Sequence, residues 1–277
     1  MTVLEVIRSA TGYLEKNGVE DARLNAEHLL AHTLGKKKRL DLYMEFDRPL
    51  SDAERAPLRD LVRLRAQGQP LQHLLGSAEF HGREFRCDAR ALVPRPETEQ
   101  LVELALQRAK MQEISTILDV GTGSGVIAVT LALDLPQAHV TAVDFSPVAL
   151  ELARENAEQL GASVTFMQAN LLPEGTEAFD MIVANLPYIP AGEIPTLSRE
   201  VQCDPVSALD GGADGLDLVR ELIERGHSRL TDGGWMIHEI GHDQAARVAE
   251  LFATHGYREI AVHRDYSEVE RFVSAVR

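Results

Sequence analysis

The sequence predicts an α/β protein in which a small all-helical domain, residues 1–75, precedes a mostly parallel β-sheet with helices on both faces. Two observations carry this prediction. From residue 114 onward, short apolar segments typical of buried strands alternate with helical segments, and repeated βα units imply a parallel sheet. Within the range 1–75 the apolar side chains recur at helical spacing instead. A chain of 277 residues is long enough to form two domains.

The composition is that of a soluble globular protein, with 44% hydrophobic and 26% charged residues. No apolar run approaches the roughly 18 residues of a membrane span, and the N-terminus does not have the pattern of a secretory signal. The two cysteines, Cys87 and Cys203, form no CxxC pair, and the ten histidines show no paired metal-binding spacing. We therefore expect a cytoplasmic protein with no metal site and no membrane association.

The net charge of −15 is distributed unevenly along the chain. The helical range 1–75 is close to neutral, with 12 basic and 11 acidic side chains, whereas the remainder carries 16 basic and 32 acidic ones. A strongly acidic second domain disfavours long nucleic-acid contacts, because such contacts depend on neutralising phosphates. The only basic run, residues 36–39, is expected to be a solvated loop. The prediction is a monomer that forms no stable complex with nucleic acid.

The N-terminal domain has the local signals of three helices. Thr2 with Glu5, and Ser51 with Glu54, have the spacing of a capping box ahead of apolar residues at helical spacing. Asp21 is expected to cap the helix between them. No chemistry-bearing cluster occurs here, so the domain is predicted either to recognise a substrate or to support packing.

A short β segment and a helix connect this domain to the sheet. Residues 76–93 contain two short strand candidates around a glycine turn, which predicts a β-hairpin linker. The second domain, residues 94–277, is then expected to begin with a helix. Pro96 suits the first turn of that helix, and the carboxylates of Glu97 and Glu99 complement its dipole.

The remaining elements alternate along the chain as expected for a doubly wound sheet. Apolar runs predict strands, and longer amphipathic segments between turn residues predict helices. The strands are predicted at residues 117–120, 139–144, 164–167, 181–184, 233–239, 260–262 and 269–273, and the helices at residues 126–133, 146–160, 216–230 and 243–255.

A glycine-rich turn follows the first of these strands. Such a turn between strand and helix lets the backbone approach a ligand closely and directs free N–H groups at it. Asp144 ends the next strand, at the usual spacing after such a turn, and a carboxylate there can accept hydrogen bonds from both hydroxyls of a ribose. The glycine loop consists of Gly121, Thr122, Gly123, Ser124 and Gly125.

The spacing of these glycines separates several classes of nucleotide site. In the dinucleotide pattern GxGxxG the third glycine would stand at Val126, and no lysine follows as in a phosphate-binding P-loop. GxGxG with an acid ending the next strand resembles the class I S-adenosylmethionine-dependent methyltransferase fold. That resemblance implies a Rossmann-like, mostly parallel seven-stranded sheet, with S-adenosyl-L-methionine as cofactor and S-adenosyl-L-homocysteine as product.

Three further residues lie at the predicted ligand edge of the sheet. Phe145 can cover an adenine or belong to the core, and the Asn170 amide can bond adenine or form a turn. Leu171 follows Asn170 at the end of the third strand. We expect all three beside the cofactor.

The segment 179–188 combines a buried strand with a polar end. The strand is expected to stop at Asn185, because Pro187 cannot continue the hydrogen-bond ladder. The Asn185 side chain and the Leu186 carbonyl can accept both N–H groups of a substrate –NH₂, aim its nitrogen at a methyl donor and stabilise the developing positive charge. Tyr188 is expected to cover the planar group. We call Asn185, Leu186, Pro187 and Tyr188 the clamp and predict that they are catalytic, with Asn185 also beside the cofactor.

Over nearly its whole length the chain resembles the PrmC/HemK family of peptide chain release factor N5-glutamine methyltransferases. The resemblance implies methylation of the glutamine side-chain nitrogen in the Gly-Gly-Gln motif of class I peptide chain release factors, hence a role in translation termination. It also implies that the helical domain helps to dock the release factor. The matching motifs are PLQ at 70–72, PRPETE at 94–99, DVGTGSG at 119–125, AVD at 142–144, the clamp with Ile189, the glycine-rich segment 208–216, and EIG at 239–241.

The clamp departs from this family at one position. The family usually has Asn-Pro-Pro-Tyr, whereas Leu186 here replaces the first proline, which keeps the carbonyl acceptor and loses a fixed φ. Asn-Leu-Pro-Tyr resembles the adenine N6-dimethylases of ribosomal RNA, so an adenine N6-methyltransferase acting on RNA or DNA is the alternative function. A nucleoside-binding module without catalytic activity is a third hypothesis.

Overall fold

The structure, a computed structural model, describes residues 1–175 and 177–277. The chain forms two compact units. The first consists of Met1–Ser77 together with the short segment Ser198–Cys203. The second consists of Ala78–Leu197 and Asp204–Arg277. Among the residues that the structure describes, no helix has the length and apolarity needed to cross a membrane.

The first unit is helical, as predicted. One stripe of apolar side chains from each long helix packs into a common core, and a 3₁₀ helix at Arg39–Glu45 covers it. The short fourth helix was not predicted from the sequence. The helices are α1 (Val3–Lys16), α2 (Ala22–Thr33), α3 (Asp52–Ala66) and α4 (Leu71–Leu75).

Two of the three predicted helix caps are confirmed. The Thr2 hydroxyl accepts from the Glu5 N–H, the Glu5 carboxylate accepts from the Thr2 N–H, and Ser51 with Glu54 forms the same box. The prediction for Asp21 is wrong in its detail. Asp21 stands before α2, but its backbone is left-handed with φ 47° and its side chain makes no capping bond. An N-cap side chain reaches the first turn from an extended backbone instead.

A buried arginine joins the segment Ser198–Cys203 to the helices of the first unit. The Arg65 guanidinium donates to the Asn25 amide oxygen at 2.7 Å, to the Gln69 carbonyl at 2.9 Å and to the Glu200 carboxylate at 2.6 Å. Charges are tolerated in an interior when they are paired and hydrogen-bonded. Residues from three distant parts of the chain therefore meet at Arg65.

The second unit contains the sheet, and its order agrees with a doubly wound fold. The strands of the large sheet are β3 (Thr116–Val120), β4 (His139–Asp144), β5 (Val164–Gln168), β6 (Phe179–Asn185), β7 (Leu230–Glu239), β8 (Arg258–Arg264) and β9 (Glu270–Val276). They lie in the order β5-β4-β3-β6-β7-β9-β8, and only β9 runs antiparallel to its neighbours. The mostly parallel seven-stranded sheet predicted from the sequence is therefore confirmed.

Helices and a separate hairpin cover this sheet. The hairpin strands form a two-stranded sheet, and Phe80 and Phe85 on them are buried in the core on one face of the large sheet. The helix predicted at 216–230 ends earlier, because Leu230 already pairs with Phe179 in the sheet. The remaining elements are β1 (Ser77–Phe80), β2 (Arg83–Arg86), α5 (Pro96–Met111), α6 (Val126–Asp134), α7 (Pro147–Leu160), α8 (Asp217–Gly226) and α9 (Ala245–Thr254).

The register of the parallel strands brings three strand ends to one edge of the sheet. Val120 pairs with Val143 on β4 and with Ala184 on β6, so the residues that follow these strands lie side by side. Asn185 in turn pairs with Glu239 at the end of β7. The carboxyl edge of an open α/β sheet is where ligands bind.

A buried histidine makes the stability of the sheet depend on pH. His238 on β7 is fully buried beside the Phe252 ring, and neither of its ring nitrogens has a hydrogen-bond partner among the described residues. Burial lowers the pKa of His238 to about 3. The unfolded chain takes up a proton at this histidine below about pH 6.5, whereas the folded chain does not. The unfolding free energy is therefore unaffected by protonation of His238 above about pH 6.5. It decreases as the pH falls from there towards 3, because protonation of His238 stabilises only the unfolded chain.

We expect His238→Leu to be increasingly more stable than the unsubstituted chain as the pH falls. Relative to pH 7.5, the difference in unfolding free energy should grow by about 2 kcal/mol at pH 5, since one pH unit corresponds to about 1.4 kcal/mol. Urea unfolding at both pH values measures it, with His242→Leu at an exposed histidine as the control. A difference that is equal at the two pH values would contradict the prediction.

Candidate active site

A cavity of about 420 Å³ opens at the carboxyl edge of the sheet. Most of the residues predicted to bind a cofactor or substrate line it, although they come from four separate strand ends. The predicted residues in its wall are Gly121, Thr122, Gly123, Ser124, Asp144, Phe145, Asn170, Leu171, Asn185, Leu186 and Pro187.

Gly125 and Tyr188, also predicted as site residues, do not line this cavity. Gly125 begins α6 with φ 84°, and a Cβ there would lie 3.0 Å from the Ala153 Cβ, so its place is between two helices. The Tyr188 carbonyl accepts from the Gln244 amide at 2.9 Å. Burial, followed by the nearby Glu239 charge, raises the pKa of the Tyr188 phenol to about 12.

The glycine loop is fixed from below by a buried carboxylate. Asp119, at 0% exposure, accepts from the Thr122 hydroxyl at 2.6 Å and from the Ala128 N–H at 3.2 Å. These bonds tie the loop to the first turn of α6. Burial raises the pKa of Asp119 to about 7.

Asp144 is held in place by the backbone of the same edge. Its two carboxylate oxygens accept from the Gly123 N–H and the Ser146 N–H, each at 2.8 Å. Burial raises the pKa of this carboxyl group, and the backbone hydrogen bonds oppose that rise. Each carboxylate oxygen keeps a further lone pair, so Asp144 can still accept from the two hydroxyls of a ribose.

A largely exposed aromatic ring also lines the cavity. Phe145 is 71% exposed although it lines the cavity, and Asn170 and Leu171 lie in the same wall. An exposed aromatic face beside an oriented carboxylate and a glycine-rich backbone suits a nucleoside, whose base stacks while its sugar hydroxyls donate. The residues present therefore fit an adenosine-bearing cofactor.

The Asn185 side chain is held by Thr98, which is bonded in turn to Glu239, and neither residue was predicted as a site residue. Asn185 Nδ2 donates to the Thr98 hydroxyl at 3.0 Å, and that hydroxyl donates to the Glu239 carboxylate at 2.8 Å. Burial raises the pKa of Glu239 to about 7. Thr98 belongs to the PRPETE segment, which marked a family resemblance and gave no sign of this contact.

Leu186 connects the clamp to the glycine loop. Its side chain is buried, and its Cδ2 would lie 3.0 Å from a Cβ placed on Gly121, whose φ is 73°. A larger residue at Gly121 would therefore push on the clamp. Within the described part of the chain, no backbone donor from the turns and loops reaches the Leu186 carbonyl oxygen.

The segment 209–215 supports the clamp from behind. The Ile189 N–H donates to the Leu209 carbonyl at 3.1 Å, and the Gly211 N–H donates to the Ile189 carbonyl at 2.9 Å. Side chains are excluded from this packing, because a Cβ on Gly215 would lie 2.3 Å from the Tyr188 carbonyl oxygen. The backbone that follows the clamp is thereby held in one position.

We expect Gly215→Ala to lower the unfolding free energy by about 2–4 kcal/mol. Its φ of +76° is unfavourable for alanine, and the added methyl would force the Tyr188 carbonyl aside. The midpoint of urea unfolding measures the loss. Gly192→Ala, in the same connection and with nothing within 4 Å of its Cβ, is the matched control and should change stability by less than about 0.5 kcal/mol. Equal effects at both glycines would contradict this account.

Comparisons with known proteins agree with the two units. A model described as the PrmC N-terminal domain matches residues 5–76, and one described as a methyltransferase domain matches residues 112–246. A protein of Geobacter sulfurreducens named release factor glutamine methyltransferase is 43% identical over 98% of this chain and 95% of its own length.

The chain belongs to the release factor glutamine methyltransferase family. A second relative in this family, from Deinococcus radiodurans, is 41% identical over 100% of this chain and 99% of its own. Among solved structures, a methyltransferase from Pyrococcus furiosus matches with a TM-score of 0.54 at 18% identity, over 71% of this chain and 89% of its own, which shows a shared fold. The chain is therefore an enzyme with a methyltransferase domain, and that domain implies S-adenosylmethionine as the methyl donor.

Proposed function

We propose that this enzyme transfers a methyl group from S-adenosyl-L-methionine to the side-chain amide nitrogen (N5) of the glutamine in the Gly-Gly-Gln motif of class I peptide chain release factors. The observation that carries the proposal is the presence of the clamp residue Asn185 in one cavity with the glycine loop and Asp144. Relatives of nearly the same length, named for release factor glutamine, support the substrate.

The cofactor would be held by the glycine loop and by four side chains. Asp144 would accept from the ribose hydroxyls, and the glycine loop would pass closely beneath the nucleoside. Phe145, Asn170 and Leu171 would surround the adenine, which the exposed Phe145 ring supports. Bound S-adenosylmethionine would supply an electrophilic methyl group on a positively charged sulfur.

The clamp would prepare the glutamine amide for methylation. An amide nitrogen is a poor nucleophile because its lone pair is delocalised. The reaction is therefore accelerated by orienting the nitrogen towards the methyl group and by stabilising the charge that develops on it. The Asn185 amide oxygen and the Leu186 carbonyl would each accept one N–H of the glutamine. Both contacts strengthen as positive charge develops on the nitrogen, which loses one N–H proton after the methyl group has been transferred. Leu186 performs this role with its backbone, so the usual proline is not required.

The helical unit, residues 1–75, would contribute to docking of the release factor, and the hairpin residues 76–93 would link it to the domain of residues 94–277. The match of residues 5–76 to a domain found in this family supports that division. Because the proposed substrate belongs to the translation machinery, we propose that the enzyme acts in the cytoplasm, as a monomer.

Transfer of labelled methyl from S-adenosylmethionine to a purified class I release factor tests this function. We expect label in the release factor, none in its variant with alanine at the Gly-Gly-Gln glutamine, and none in RNA or DNA. Label in nucleic acid but not in the release factor would support the adenine N6-methyltransferase alternative. Cofactor binding without transfer to any acceptor would support the non-catalytic module.

A further inference from the structure

Three polar groups from three different elements, of which Thr98 and Glu239 are buried, form a chain of hydrogen bonds that ends in the clamp. Asn185 at the end of β6 donates from Nδ2 to Thr98 Oγ1 at 3.0 Å, and Thr98 in the first turn of α5 donates to Glu239 Oε2 at 2.8 Å. Thr98 is 3% exposed and Glu239 is 1% exposed. The bond between Thr98 and Glu239 therefore lies away from solvent, where hydrogen-bond partners cannot be exchanged for water, whereas Asn185 is half-buried.

The chemistry of these groups fixes the direction of the bonds. An ionised carboxylate only accepts hydrogen bonds, so the single proton of the Thr98 hydroxyl points to Glu239. The hydroxyl oxygen is then left to accept, and the group that can donate to it from Asn185 is the amide –NH₂. The amide oxygen is the other branch of the same planar group, so it faces away from Thr98.

We propose that Thr98 and Glu239 are positioning residues that hold the Asn185 amide with its oxygen towards the substrate. The inference rests on the proposed function, because it assigns the pair to the same clamp. An asparagine amide has nearly the same shape when it is flipped so that its oxygen and nitrogen exchange places, so packing alone does not select one orientation. In the flipped form the –NH₂ group would face the N–H groups of the glutamine, and two donors would oppose each other.

The same bonds run in the opposite direction when Glu239 is protonated. A carboxylic acid can donate to Thr98 Oγ1, and the hydroxyl can then donate to the oxygen of Asn185, which favours the flipped amide. The groups that bear on this carboxyl are Thr98 and Glu97 of α5, Asn185, Tyr188, and Arg271 of β9. Methyl transfer should therefore be faster when Glu239 is ionised.

Burial raises the pKa of Glu239 to about 7, opposed first by the bond from Thr98 and then by the charge of Arg271. The change in amide orientation is therefore expected between about pH 6 and pH 8. Asp119 beneath the glycine loop also has a pKa raised to about 7 by burial. Because Asp119 holds the loop that is proposed to bind the cofactor, the rate is to be measured at saturating cofactor.

Substitution of Thr98 in the full-length enzyme provides the first test. Thr98→Val keeps the shape and removes the hydroxyl, and should lower kcat for release-factor methylation by about tenfold, the effect of losing one hydrogen bond. The dissociation constant for S-adenosylmethionine should change by less than about threefold. Thr98→Ser restores the hydroxyl and should recover most of the lost rate. In an Asn185→Ala background, Thr98→Val should cause no further loss.

The pH dependence provides the second test, which does not depend on Thr98 variants folding normally. At saturating cofactor and release factor, kcat of the unsubstituted enzyme should rise between about pH 6 and pH 8. Glu239→Gln keeps the shape of the side chain and cannot ionise, so this rise should be absent.

Two results would overturn the inference. One is an unchanged pH rise in Glu239→Gln, and the other is a Thr98→Val enzyme that keeps full kcat or loses cofactor affinity together with rate. Failure of the unsubstituted enzyme to methylate the release factor would instead count against the proposed function. The two failures are therefore distinguishable.

Discussion

Asn185→Ala should lower kcat for methyl transfer by about 100- to 1000-fold, the range seen when one preorganised polar contact to a transition state is removed. The dissociation constant for S-adenosylmethionine should stay within about threefold, because the glycine loop and Asp144 provide the proposed cofactor contacts. Single-turnover methylation and a calorimetric titration with the cofactor measure the two quantities separately.

Asn170→Ala is the matched control for Asn185→Ala, since it removes a second amide from the wall of the same cavity. We expect it to weaken cofactor binding and to leave transfer at saturating cofactor nearly unchanged. The two substitutions should thus affect different quantities. Loss of both rate and cofactor affinity in Asn185→Ala would make Asn185 a structural residue instead.

Asp144→Asn should raise the dissociation constant for S-adenosylmethionine by about 100-fold or more. The carboxylate accepts from two backbone N–H groups on opposite oxygens, and an asparagine would place its own –NH₂ against one of them. It would also offer the ribose one accepting oxygen in place of two, and hydrogen bonds to a charged group contribute about 1.5–3 kcal/mol.

The titration that measures this change has a control in Glu151→Gln. Glu151 is exposed on the helix that follows Asp144 and does not line the cavity, so the substitution removes one negative charge from the same unit. The dissociation constant of Glu151→Gln for S-adenosylmethionine should match that of the unsubstituted enzyme. If Asp144→Asn binds the cofactor as tightly as this control does, Asp144 is not a ribose acceptor.

Much of the fold was predictable because its signals are local in sequence. The capping box of Thr2 and Glu5 joins residues within one helical turn, and the alternation of strands and helices repeats along the chain. The glycine loop and Asp144 were found in the same way, since consecutive strands place their ends at one edge. Asp21 shows the limit of such signals, because the residue type suggested a cap and the backbone angle prevented it.

The features that the sequence did not reveal depend on contacts between distant residues. Thr98 and Glu239 are 141 residues apart, and Thr98 and Asn185 are 87 apart. A threonine in the first turn of a helix carries no sign that its hydroxyl meets a strand end elsewhere. The order of strands in the sheet, including the antiparallel β9, likewise depends on pairings across the whole second unit.

The bond between Arg65 and Glu200 delays the completion of the folded first unit during synthesis of the chain. The two residues are 135 positions apart, so at about 5–20 residues per second Glu200 is made roughly 7–27 s after Arg65. Until then the guanidinium lacks its charged partner, and an unpaired charge is costly to bury. The first part of the chain to leave the ribosome therefore reaches its final form only after residue 200 has been added.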